Sequence, residues 1–332
     1  MKILENHIIK NSLKIKSVSS YYIEIDNLTC FNKLHDFINI KDLPVIILGE
    51  GTNIVPPNLF NGIAVKPSFT QIDFKDNFVE VGASVNWDFF VNHMINKNIN
   101  GFENLSLIPG SVGAAPIQNI GAYGQEVSNL IEEVHCYDYK KNIFIKLTNE
   151  QCNFSYRDSL LKNTNLIIYK VVFRINNSNK LNLNYHSIQS YIDDNKIDKD
   201  SLNQKLLSKI ICNIRNKNLP DPNIIPNAGS FFKNPILKEN DIKIDNLSIS
   251  DLVIWKLDKT YSKIGAARLI DLIKNKLNIN ENVFIYDKHS LVLITNSKAS
   301  QNDILDFASQ IQDIVFDTFN ITLEIEPTVI IN

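Results

Sequence analysis

The stretch Ile108-Pro109-Gly110-Ser111-Val112-Gly113-Ala114-Ala115-Pro116-Ile117-Gln118-Asn119-Ile120-Gly121-Ala122-Tyr123-Gly124 decides how this chain reads. Four of the chain's 11 glycines fall within fifteen of its residues, small side chains fill the gaps, and few groups are charged. Glycine is otherwise scarce: 11 in 332 is about 3%, against a usual ~7%. Asn, Ile and Lys are abundant instead. A backbone pressed against a large flat ligand needs this composition, because a Cβ would hold the ligand away. A long surface loop would be more polar.

Working outward, a second glycine pair follows the apolar run Val45-Ile46-Ile47-Leu48, which reads as a buried strand. It is Gly49-Glu50-Gly51, continued by Thr52-Asn53, where successive N–H groups can form a concave anion site. No third glycine makes this a G-x-G-x-x-G fingerprint, and alone it reads more readily as a plain turn. Asn227-Ala228-Gly229-Ser230-Phe231-Phe232-Lys233-Asn234-Pro235 carries a serine that could donate a proton or merely cap a turn. It lacks a G-x-S-x-G elbow, which disfavours a hydrolase triad. Tyr156-Arg157-Asp158-Ser159 and Glu326-Pro327 are singly unremarkable, a solvated pair and an extended surface residue.

Composition bounds the class. The length suggests two domains, or three. At 44% hydrophobic and 21% charged residues the chain reads as globular, and a net charge of −2 disfavours a nucleic-acid binder. Cys30, Cys136, Cys152 and Cys212 fit no metal or iron–sulfur spacing and read as reduced thiols, and the six histidines form no ligand pair, so no metal is expected. No signal-peptide core and no run of ~18 apolar residues is present, so a soluble, cytoplasmic protein without a membrane partner is expected. Helices are expected over 34–40, 85–95, 252–256, 266–273 and 304–319, and in the later part of 187–218. Strands are expected over 78–81, 134–139, 143–147, 166–173, 283–286, 291–294 and 322–325. Pro220, Pro222 and Pro226 break any helix there and mark a domain boundary.

Taken together and in order, the glycine-bearing segments, Tyr156-Arg157-Asp158-Ser159, Leu219-Pro220-Asp221-Pro222 and Glu326-Pro327 resemble the UDP-N-acetylenolpyruvoylglucosamine reductase family, in the subgroup with a tyrosine that closes over substrate. The resemblance covers nearly the whole chain. It implies an α+β architecture: a PCMH-type (vanillyl-alcohol-oxidase-like) FAD-binding fold in two subdomains, residues 1–66 and 67–218, to which the strand at 321–332 returns, and a separate α+β substrate-binding domain over 219–320. It implies non-covalent FAD held by Gly49, Glu50, Gly51, Thr52, Asn53, Ile108, Pro109, Gly110, Ser111, Gly113, Ala114, Ala115, Ile117, Ile120 and Gly121. Arg157, Ser230 and Glu326 are the catalytic residues by this resemblance, and Tyr185, Lys233 and Asn234 contact substrate. Departures from the pattern are Asn218, with Lys217 one position earlier, and His186, Ala267 and Arg268.

The implied activity is that of UDP-N-acetylmuramate dehydrogenase: NADPH-dependent, FAD-mediated reduction of UDP-N-acetylglucosamine enolpyruvate in peptidoglycan precursor synthesis. Hydride addition to the enolpyruvyl group places negative charge beside its carboxylate. Arg157 suits that charge. Glu326 helps if protonated or if it orients a water. Ser230 delivers the proton. The expected partners are this substrate and NADPH, acting on a monomer. Alternatives are a flavin oxidase of the same fold, weakened because no histidine in the glycine-rich segment could attach flavin covalently, and a non-catalytic nucleotide-sugar binder.

Overall fold

The run Val45-Ile46-Ile47 does form a strand. Val45–Ile47 pairs in parallel with Leu59–Pro67, with Val45 opposite Ile63 and Ile47 opposite Val65. In this computed structural model, which describes residues 1–175, 180–238 and 251–332, the strands belong to a four-stranded sheet ordered Lys2–Ile8, Val18–Ile25, Leu59–Pro67, Val45–Ile47. Helix α1 (Phe31–Lys41) buries Phe31, Leu34 and Ile38, spaced three and four residues apart, against Ile23, Ile25, Ile63 and Val65. It ends at Asp42, which takes the left-handed conformation.

A five-stranded antiparallel sheet runs in the order Ile143–Thr148, Ile131–Asp138, Leu166–Arg174, Phe78–Gly82, Ile72–Phe74. Neighbouring residues of Ile131–Asp138 serve two cores, as side chains on alternate faces must. Val134 and Cys136 pack with Val79, Val81, Val171 and Phe173 against Trp87, Phe90, Val91 and Met94 of helix α2 (Trp87–Asn96). Tyr137 joins the core around Phe31. The Asn86 side chain caps α2 by accepting from the Phe89 N–H. Two further helices, α3 (His186–Asp194) and α4 (Gln204–Asn218), bury Ile188, Ile192, Leu207, Ile210, Ile211 and Ile214 together. Leu202 lies just before α4.

Contacts divide the chain into two units. One comprises Met1–His7, Ser19–Gly51 and Asn61–Lys217; the other comprises Ile8–Val18, Thr52–Phe60 and Asn218–Asn332. The second unit has a three-stranded sheet, Asn227–Ser230, His289–Thr295 and Val283–Tyr286 in that order, and a smaller one, Ile236–Lys238, Tyr261–Ile264 and Ile254–Lys256. Helices α5 (Ala266–Ile273) and α6 (Gln301–Phe319) pack over its core, to which Leu13, Ile15 and Val55 also contribute.

The helix expected over 252–256 is not formed. Ile254–Lys256 is a strand paired antiparallel with Tyr261–Ile264, Trp255 lying opposite Lys263. Four consecutive apolar residues carry no periodicity, and here strand pairing settles them. Over 322–325 no strand forms beyond a single bridge from Ile325 to Phe232. No described helix is long and apolar enough to cross a membrane.

Candidate active site

The glycine-rich segment is laid along the entrance to α2 by backbone bonds. Trp87 donates to the Gly110 carbonyl at 3.0 Å, Val112 to Val85 at 2.9 Å and Gly113 to Ala83 at 2.8 Å. Glycine is required at 113, where a Cβ would stand 2.6 Å from the Ala83 Cβ. A Cβ on Gly49 would lie 3.1 Å from Ser111 Oγ and 3.2 Å from Ala114 Cβ, so the Gly49-Glu50-Gly51 turn sits directly beside residues 111–114. Gly51 and Gly110 take φ of 71° and 129°. Two adjoining small-residue loops with left-handed glycines form a cradle that a pyrophosphate and a flat ring can approach, so the residues present fit FAD. Thr52 and Asn53 belong to the second unit, where Ser12 donates to the Thr52 carbonyl at 3.2 Å and Thr328 to that of Asn53 at 3.0 Å.

The segment ends in a hairpin. Gly121–Ala122 pairs with Gln125–Glu126 across Tyr123-Gly124, whose φ values of 50° and 79° are those of a two-residue type I′ turn. Arg157 is held against this hairpin, its Nη2 donating to the Gly121 carbonyl at 2.9 Å. Tyr185, just ahead of α3 and exposed, meets Tyr123 edge-on with ring centroids 5.4 Å apart. Asn104, buried, donates to the Tyr123 carbonyl at 2.8 Å and the Asn182 carbonyl at 2.9 Å, tying the hairpin to the segment that carries Tyr185.

In the second unit Asn227–Ser230 breaks register against His289–Thr295. Asn227, itself buried, accepts from the Gly229 N–H at 2.8 Å, and Gly229 takes a φ of 75° with open space where a Cβ would stand. Beyond Ser230 the chain runs antiparallel to 324–326: Glu326 N–H donates to the Phe231 carbonyl and Lys233 N–H to that of Glu324, both at 2.9 Å. Ser230 and Glu326, 96 positions apart in sequence, are thus brought onto adjacent segments. Lys233 Nζ pairs with the Glu324 carboxylate, and the Asn234 side-chain oxygen accepts from Ala266 N–H at the start of α5 at 2.9 Å.

Sequence reasoning missed Tyr123, Asn104, Asn119, Asn227 and Arg215. The Arg215 guanidinium, on α4, acts to lower the pKa of the Tyr123 hydroxyl against the desolvation that raises it, while its Nε is buried with no hydrogen-bond partner among the described residues. Burial holds its pKa below the usual arginine value, nearby Arg157 acting in the same direction and Tyr123, Cys212 and Asp88 opposing. A signal existed: the chain has only four arginines among 34 basic residues. The four cysteines are free, and no described cluster of His, Cys, Asp or Glu could hold a metal.

Fold and site together define an FAD-binding protein of mixed helix and sheet. Residues 21–141 match the FAD binding domain family. Residues 221–330 match the C-terminal domain of UDP-N-acetylenolpyruvoylglucosamine reductase. The reductase of that name from Bdellovibrio bacteriovorus is 36% identical over 326 residues, 96% of each chain. That from Neisseria meningitidis is 32% identical over 96% of this chain and 94% of its own. The crystal structure of the Thermus caldophilus reductase aligns with a TM-score of 0.67 at 18% identity, covering 96% of this chain and 95% of that one. The chain belongs to the UDP-N-acetylenolpyruvoylglucosamine reductase family and is an FAD-dependent oxidoreductase of peptidoglycan precursor synthesis. The oxidase and binding-protein alternatives are not favoured.

Proposed function

We propose that this chain reduces UDP-N-acetylglucosamine enolpyruvate to UDP-N-acetylmuramate with NADPH, using Arg157, Ser230 and Glu326 as the reacting side chains. The observation that carries this reading is the pairing of 231–233 with 324–326, which gives the serine and the carboxylate neighbouring backbones. Bound along the small-residue loops at 49–53 and 108–121, FAD would supply the hydride-transfer chemistry that links NADPH to the enolpyruvyl group. Arg157 binds the substrate carboxylate through its planar fork and stabilises the enolate charge that develops there. Its Gly121 bond supports this role by fixing the guanidinium against the flavin-binding hairpin. Ser230 Oγ–H delivers its proton to the carbon beside the carboxylate, a strongly basic site once hydride has been added. Glu326 acts protonated, or by orienting a water, because an ionised carboxylate would repel the enolate.

The same reading assigns FAD binding to residues 1–66 and 67–218, joined by the C-terminal segment 321–332, and substrate binding to 219–320, with Tyr185 closing over substrate and Lys233 and Asn234 contacting its phosphates. The protein works as a cytoplasmic monomer. The test is stopped-flow of the purified yellow protein: NADPH should bleach the flavin, and the enolpyruvyl substrate should restore its colour. A colourless protein that takes up no added FAD, or flavin that stays reduced with substrate present, would overturn the reading.

A further inference from the structure

We infer that Asn119 is a positioning residue for Arg157, the central tie of a three-point clasp between the flavin-binding segment and the loop that carries the arginine. The inference rests on the role given to Arg157 above. Three alternate residues of one segment meet three alternate residues of the other. Ser159 Oγ donates to the Ile117 carbonyl at 2.7 Å. Asn119 Nδ2 donates to the Ser155 carbonyl at 3.0 Å. Arg157 Nη2 donates to the Gly121 carbonyl at 2.9 Å. Between these ties the loop closes on itself through Ser155 and Asp158, whose N–H groups donate to each other's carbonyls at 3.0 and 3.3 Å.

Asn119 is fully buried and every polar function of its amide is engaged. The same Nδ2 also donates to Glu126 Oε2 at 2.8 Å, and Oδ1 accepts from the Ser128 N–H at 3.1 Å. Such a network holds one geometry because each bond it loses would leave a buried polar group unpaired. The loop needs that restraint. Arg157 itself takes a φ of 56° and Asn119 one of 44°, a region that side-chain-bearing residues rarely adopt. A long arginine on a strained loop would otherwise sample many placements, and a misplacement of about 1 Å can cost about 10²-fold in rate. Gly121 completes the fit, since a Cβ there would stand 3.2 Å from Arg157 Nη1.

The test uses the FAD-bound enzyme and separates its two half-reactions. Asn119→Asp keeps the shape and the acceptor toward Ser128 but removes both donations. It should slow flavin reoxidation by the enolpyruvyl substrate about 10- to 100-fold, while NADPH reduction and FAD content stay at wild-type levels. Adding Glu126→Gln restores a donor to the carboxylate but not the Ser155 tie, so the double variant should regain stability and keep the slow reoxidation. Ser159→Ala should show the same pattern more weakly, and it decides alone if Asn119→Asp fails to fold. Unchanged reoxidation, or parallel loss of both half-reactions with loss of FAD, would overturn the inference. Arg157→Lys is the control: if it leaves reoxidation fast, the role of Arg157 fails rather than the clasp.

Discussion

Removing the proposed proton donor or the guanidinium fork tests the chemistry one side chain at a time. Ser230→Ala should leave NADPH reduction of the flavin close to wild type and slow its reoxidation by substrate about 10²- to 10⁴-fold, the usual range for a general acid. Arg157→Lys should slow the same step by about 10²-fold, because an ammonium cannot reproduce two parallel donors. Single-turnover absorbance of the flavin reads both, and equal losses in the two half-reactions would contradict the assignments. At this scale legibility followed scarcity. The few glycines drew attention to the 108–124 segment because the sequence supplies them so sparingly, and Gly113 proves sterically required while Gly49 is only tightly packed. Arg157 and Glu326 are proposed through the family resemblance alone, since an Arg-Asp or Glu-Pro dipeptide has no chemistry of its own. Asn119 and Asn227 were hidden by abundance: asparagine is everywhere in this chain, and only burial marks these two.

Elements with a clean period or a cap could be read at once. Helix α6 buries Ile304, Phe307, Ala308, Ile311, Val315 and Phe319, steps of three, one, three, four and four. It begins in a capping box: the Asp303 N–H donates to Ser300 Oγ and the Ser300 N–H to the Asp303 carboxylate. Ser300→Ala should therefore lower stability by about 1 kcal/mol, and Ser300→Thr should keep most of it. Urea midpoints at neutral pH measure this, and an unchanged midpoint for the alanine variant would refute the cap's contribution. The 252–256 stretch failed for the opposite reason. Its register comes from Tyr261–Ile264, a partner that no local pattern reveals. The Tyr123-Gly124 turn was equally obscure, because tyrosine is not the residue expected at a positive φ.

Each unit draws on discontinuous chain, and that partition lies beyond any window of sequence. Ile8–Val18 and Thr52–Phe60 join a unit whose main body starts at Asn218, as when Ile54–Val55 pairs in parallel with Thr328–Val329. The two units share an electrostatic property that sets how the whole molecule responds to acid. His135 in the first and His289 in the second both have pKa values lowered by burial. His135 bonds Glu133 at 2.8 Å, which raises its pKa, and faces Lys170 and Lys146, which lower it; desolvation outweighs the rest. Asp271 opposes the same effect at His289. A histidine kept neutral by folding contributes stability that is complete above its unfolded pKa of about 6.5 and is lost as pH falls through the lower folded value, because the unfolded chain takes up the proton first. The urea midpoint should therefore drop between about pH 7.5 and pH 5.5. His135→Gln cannot titrate and can still donate to Glu133, so it should flatten part of that drop. If it keeps the full wild-type slope, the acid sensitivity arises elsewhere and the buried neutral state assigned to His135 is wrong.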